Sequence, residues 1–170
     1  MFDEELYVSY FENLAIDSKD INHTESGKSF FYIDEPDDTE EFDNALRDSA
    51  TSPVFLLTAD QGEFADAQSN NHTQEISGQF YVLARTGDLL SRKQARKLCL
   101  PIIIQFLAKM KKDAGRKAIL PGKNVTFTID KVPYQKVGPM NTQWYGYTVW
   151  YTFTCPLAFT VSSSSWRTIT

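Results

Sequence analysis

The residues best able to move protons, hold metals or act as nucleophiles are two histidines and two cysteines, and no motif joins them. His23 and His72 each stand in a polar Asn-His-Thr stretch without a patterned nucleophile or second ligand, which reads as surface rather than catalysis. Cys99 falls inside a helical apolar pattern and Cys155 at the end of a strand pattern; with no second pair to complete a four-ligand zinc site, both read as small core residues. Glycine-rich phosphate loops, a dinucleotide fingerprint, H-E-x-x-H and G-x-S-x-G are absent from the sequence. The acidic run at 34–41 could gather a divalent cation, but it lacks the alternating oxygen ligands and turn glycine of an EF-hand loop. It reads as the solvated start of a helix. No cofactor, no metal and no catalytic residue are therefore expected.

Charge layout says more. Residues 1–90 set twenty carboxylates against Lys19, Lys28, Arg47 and Arg85, a balance of −16, while residues 91–170 set thirteen Lys and Arg against Asp113 and Asp130, a balance of +11. Such halves either neutralise one another within the subunit or present opposite faces to other molecules, copies of the same chain included. The densest basic cluster is Arg92, Lys93, Arg96 and Lys97 in the first turns of a helical pattern, where cations oppose the positive end of the helix dipole. A facing acidic surface would offset that penalty, and the richest candidate is Asp37, Asp38, Glu40 and Glu41. These two clusters are the expected protein interface, together with Leu100 and Ile104, which lie off the main apolar stripe of their helix and need a cover.

The elements that must position these residues follow from periodicity. Phe2, Leu6, Tyr10, Leu14 and Ala15 predict an amphipathic helix over 3–16, and residues 29–33 a short strand. Asp38 and Glu41 suggest a capping box before a helix with Phe42, Ala45 and Leu46 inward, and 53–58 is an apolar run of the kind buried on both faces. Residues 62–71 read as a polar loop. In 75–85, Ile76, Phe80, Val82 and Ala84 alternate with Gln79, Tyr81, Leu83 and Arg85. Ser91 and Gln94 cap a long helix with Ala95, Leu98, Cys99, Ile102, Ile103, Phe106 and Met110 inward, and Pro101 should kink or restart it. Two final strands, 124–132 and 142–155, pair as a long hairpin around Gly138-Pro139, with Trp144 and Trp150 on one face and Tyr145, Tyr147, Tyr151 and Phe153 on the other.

The expected fold is α+β: one domain over 1–170, with a mixed or antiparallel sheet, a ferredoxin-like βαββαβ core, helices largely on one face, an added N-terminal helix and a long C-terminal β-hairpin. Residues 162–170 read as a Ser-rich tail. A length of 170 residues, 42% hydrophobic and 23% charged, excludes a disordered chain, and no window approaches the roughly 20 apolar residues of a membrane span. No membrane partner is expected. The acidic start, Met1-Phe2-Asp3-Glu4-Glu5, is unlike a targeting peptide, so synthesis in the cytoplasm is the expectation.

The acidic N-terminal helix around 6–10, the strands at 53–58 and 79–83, the helix from 91 to 117 and the closing hairpin between 125 and 153 together resemble the tail-terminator or tail-completion proteins of long-tailed bacteriophages. The resemblance lies in layout and spans most of the chain. It implies a structural virion protein made in the host cytoplasm, a hexameric ring at the tail–neck junction that ends the tail tube and meets the head connector. A different class remains open: a nucleic-acid-binding module using the basic helix and the aromatic hairpin as a stacking platform, although an isoelectric point near 5.0 opposes it.

Overall fold

A computed structural model describes residues 3–35, 39–48, 51–58, 61–66, 72–87, 90–158 and 164. The order is α1 (Glu4–Asp17), β1 (Phe30–Ile33), α2 (Thr39–Asp48), β2 (Val54–Thr58), β3 (Gln61–Asp66), β4 (His72–Arg85), α3 (Arg92–Gly115), β5 (Thr126–Phe127), β6 (Tyr134–Met140) and β7 (Trp144–Pro156). The chain is α+β, with the seven strands among the described residues in one mixed sheet. β1 pairs parallel to β2, and every other pairing is antiparallel. Asp37, Asp38 and the 162–170 tail, apart from Ser164, lie outside the described residues, as does Phe2.

Strand order runs β1-β2-β4-β7-β5, with β3 beside β4 and β6 beside β7. A split βαβ would insert a strand between β1 and β2, but here the two are direct neighbours and the sheet grows outward through β4 to β7. The expected ferredoxin-like core is thus replaced by an unsplit β1-α2-β2 unit with an antiparallel extension. Helices also occupy both faces. α1 and α3 share one core with Phe55, Phe80, Val82, Tyr147 and Phe153, whereas α2 packs Phe42, Ala45 and Leu46 on the other face against Val54, Leu56, Leu83 and Trp144.

Most of the aromatic residues go into the first core. Phe55 stacks on Phe106 with centroids 4.8 Å apart and lies 5.1 Å from Phe80, while Phe11 sits 5.3 Å from Tyr151. β2 is buried at every position, as its apolar run predicts, and the two faces of β4 divide as the alternation requires. α1 is rotated from the expected stripe: Tyr7 and Phe11 join Tyr10, Leu14 and Ala15 inside, and Leu6 is exposed. The rotation is set by ring volume, because Gly78 on β4 leaves a space that the Tyr7 and Tyr151 hydroxyls fill while bonding each other. α3 carries the expected Ser91/Gln94 capping box and runs unbroken through Pro101, which faces solvent, where the carbonyl it frees can be hydrated. Leu98, expected inward, is exposed.

Two connections differ from the sequence expectation. Residues 61–66 form β3, a hairpin arm on β4, with the pairing register shifted by one residue between Leu57↔Phe80 and Gln61↔Ser77. β7's hairpin partner is β6, with β5 reduced to two residues, and the turn falls at Asn141 and Thr142, both with positive φ. Gly138-Pro139 lies inside β6 at a bulge. Gly138, at φ 113°, is needed there because a Cβ would strike the Trp144 carbonyl and the Tyr145 ring.

Candidate functional site

The sheet order converts the charge split of the sequence into a spatial one. β1, β2, β3 and β4, from the acidic half, make one side of the sheet and β5, β6 and β7, from the basic half, the other, with the long β4–β7 pairing as the seam, and α3 packs across that seam on both β4 and β7. Among the described residues no ion pair joins the two halves: His23–Glu12 and His72–Asp66 lie within the acidic half and Lys109–Asp113 within the basic one.

α3 lies over β4 and β7 but leaves the β6 side open. A groove of about 460 Å³ remains, floored by Leu100 and the Tyr147 ring and walled by Pro101, Ile104, Gln105, Arg96 and Lys97. Ile104 is 55% exposed, and Tyr134 on β6, set edge-on to Tyr147, is 59% exposed. Neither α1 nor any other described helix covers Ile104. Leu100 is half-buried against the core, so only part of the expected uncovered pair is satisfied within the subunit.

The basic cluster divides in two. Arg92 and Arg96 place their guanidinium groups 5.3 and 5.5 Å from the centre of the buried Tyr145 ring, cation–π contacts that offset part of the unfavourable helix dipole. Arg96 Nη2 also donates to the Val137 carbonyl at 3.5 Å, yet its Nε is buried without an acceptor. Lys93 and Lys97 are exposed and make no described ion pair. The sequence reading therefore found Arg96, Lys97, Leu100 and Ile104 as members of one surface but missed Tyr147 as its floor.

The described members of the expected acidic counterpart, Glu40 and Glu41, are not on that surface. α2 lies on the opposite face of the sheet from α3, which places Glu40 and Glu41 away from the basic cluster of the same subunit. Glu40 is exposed, while the Glu41 carboxylate accepts from the backbone amides of Asp34 at 3.1 Å and Glu35 at 2.9 Å, tying the end of β1 to α2. Glu41 thus has a local structural task.

The remaining candidates have structural partners as well. His23 Nδ1 accepts from the Ser29 and Phe30 amides at 3.1 and 3.2 Å, pinning the α1–β1 connection. Cys99 and Cys155 are buried and unpaired, as expected of core residues; burial pushes the Cys99 thiol up to about 12 and also raises that of Cys155. The rings nominated for stacking nucleic acid are mostly consumed by the two cores: Trp144, Tyr145, Tyr147, Tyr151 and Phe153 are buried, and only Trp150 is partly open on that strand. No described helix is long and apolar enough to cross a membrane. No protein-family model matches the chain, and no curated protein matches its sequence.

Proposed function

We propose that this protein is a structural assembly subunit that works by head-to-tail contact between copies. The observation that carries the reading is the apolar, basic-rimmed groove left uncovered beside α3 and β7, in a chain whose acidic-half strands lie on one side of the sheet and basic-half strands on the other. A subunit polarised in this way offers its neighbour a complementary and non-identical surface, and such heterologous contacts close into a ring when the rotation between copies permits. The resemblance to bacteriophage tail-terminator proteins supplies the setting: a ring, hexameric in that family, at the tail–neck junction of the virion, between tail tube and head connector, carrying no catalysis.

The experiment is sedimentation and electron microscopy of the full chain, alone and with tail-tube and connector proteins. Closed rings that dissociate as salt rises toward molar concentration are expected, because exposed complementary charges are screened within about 3 Å at 1 M salt. A chain that stays monomeric at high concentration and low salt, and joins neither neighbour, overturns the reading.

A further inference from the structure

We propose that the occupant of the α3/β7 groove is α1 of a second copy, laid antiparallel to α3 by its exposed ridge; this rests on the head-to-tail reading above. The vacancy has the place of a missing helix. On that face of the sheet α1 packs on β1 and β2 and α3 on β4 and β7, and the helical layer of the described residues stops short of β6. α1 of the same subunit is held on the far side of α3, where Leu14 lies beside Phe106 and Tyr10 bonds Asp113, so the groove and α1 can meet only between copies.

The two surfaces match in spacing and in charge. Leu6, Ser9, Asn13 and Ile16 are all exposed on α1 and fall three, four and three residues apart, which sets them in one ridge with an apolar side chain at each end. Glu5 and Glu12 border that ridge on one side and Asp17 on the other. Glu12 has His23 at 3.7 Å, but neither Glu5 nor Asp17 has an ion-pair partner among the described residues. On α3, Lys97, Leu100, Ile104, Leu107 and Lys111 follow the same alternation of three and four, so a cation closes each end of an apolar stretch. The opposite wall of the groove adds Lys136, exposed on β6 directly across from Tyr147. An apolar ridge bordered by carboxylates meets an apolar floor bordered by cations.

The helix ends fix the direction. α1 has no basic residue in its last turn and finishes on Asp17, a carboxylate at the negative end of its dipole, whereas α3 has no acid in its first turn and starts with Arg92 and Lys93 at the positive end. Antiparallel packing sets those two ends together and offsets both penalties. It brings Asp17 to Lys97 and Glu5 to Lys111, because Glu5 and Asp17 are about 18 Å apart along α1 and the two lysines about 21 Å apart along α3.

Head-to-tail geometry gives a specific test by sedimentation. Ile16→Asp spoils the ridge and Ile104→Asp the groove; both residues are exposed, and melting curves check that each variant folds. Each variant alone should self-associate at least about tenfold more weakly than the parent chain. Mixed one to one, they should form a dimer that grows no further, because the intact ridge of the Ile104→Asp chain fits the intact groove of the Ile16→Asp chain once. Charge exchange tests the direction: Asp17→Lys and Lys97→Glu should each weaken assembly, and one chain carrying both should recover it, whereas Glu5→Lys with Lys97→Glu should not. Recovery in the Glu5 combination alone overturns the antiparallel packing. If Ile104→Asp abolishes assembly while Ile16→Asp and Asp17→Lys assemble as the parent does, another segment fills the groove and this inference is overturned while the head-to-tail reading stands. A parent chain that never associates overturns the head-to-tail reading itself, and the α1 contact with it.

Discussion

The Tyr10 hydroxyl donates to the Asp113 carboxylate across 3.2 Å and so ties α1 to α3 over the core. Asp113 is buried and also takes the Lys109 ammonium at 2.7 Å, one turn back on the same helix. Burial and the adjacent carboxylate charge both push the Tyr10 hydroxyl far up, so it stays a donor throughout the accessible pH range. Tyr10→Phe should lower the unfolding free energy by about 1.5–3 kcal/mol, the usual worth of a hydrogen bond to a charged group. Urea denaturation measures it, and an unchanged midpoint would show that α1 is held by apolar packing alone.

A methyl group at Gly78 would occupy the place of the Tyr7 and Tyr151 hydroxyls. Gly78→Ala should therefore cost about 1–3 kcal/mol through overpacking, and Tyr7→Phe in the same chain should recover part of the loss by removing one of the crowding oxygens. A double-mutant cycle reads the coupling; additive losses would contradict it.

Alkaline stability should report the buried thiol. The Cys99 pKa rises from its ordinary 9.0 to about 12 because burial disfavours the thiolate, so the folded chain holds a proton that the unfolded chain releases. The stabilisation is complete below pH 9 and declines from there to about pH 12, and burial of Tyr10 and Tyr81 acts in the same direction. Melting temperature followed across that window should fall, with a shallower slope in Cys99→Ala. Thiol reagents should label Cys99 and Cys155 only once the chain unfolds.

Charge reversal on α3 should separate interface from fold. Lys93→Glu with Lys97→Glu touches only exposed side chains, so assembly should be lost with the melting temperature nearly unchanged, within the ~0–1 kcal/mol typical of exposed ion pairs. Arg96→Glu should also lower stability, since Arg96 packs over Tyr145 and bonds the Val137 carbonyl. Assembly that survives reversal of both lysines would make the rim a solvated surface.

Binding to single-stranded DNA or RNA separates the other class of function. With most of the β7 rings inside the cores, affinity should be weak and unspecific, about 10⁻⁴ to 10⁻⁶ M at physiological salt. Sub-micromolar binding lost on changing Trp150 or Tyr134 to Ala would favour a nucleic-acid role instead.

Sequence periodicity alone was enough to place α2 through Phe42, Ala45 and Leu46, β2 through its unbroken apolar run, both faces of β4, and α3 from its Ser91 cap. Each of these follows from which side chains a local segment must bury, and that is written in the spacing. The charge split was equally plain by counting. What spacing does not carry is the identity of a strand's neighbour, and so the adjacency of β1 and β2, which opens the split core, was decided by the tertiary structure. β3 escaped notice because its side chains are exposed on both faces, leaving no alternation to read. Asp113 did leave a trace, a carboxylate continuing the buried stripe of Phe106 and Met110, but only the approach of α1 supplied the Tyr10 hydroxyl that joins Lys109 in partnering it. The groove came about in the same way: Leu100 and Ile104 are legible as apolar residues off the stripe, yet whether anything covers them depends on where α1 and β6 come to rest. Local chemistry sets what must be buried, and long-range packing sets what is left open.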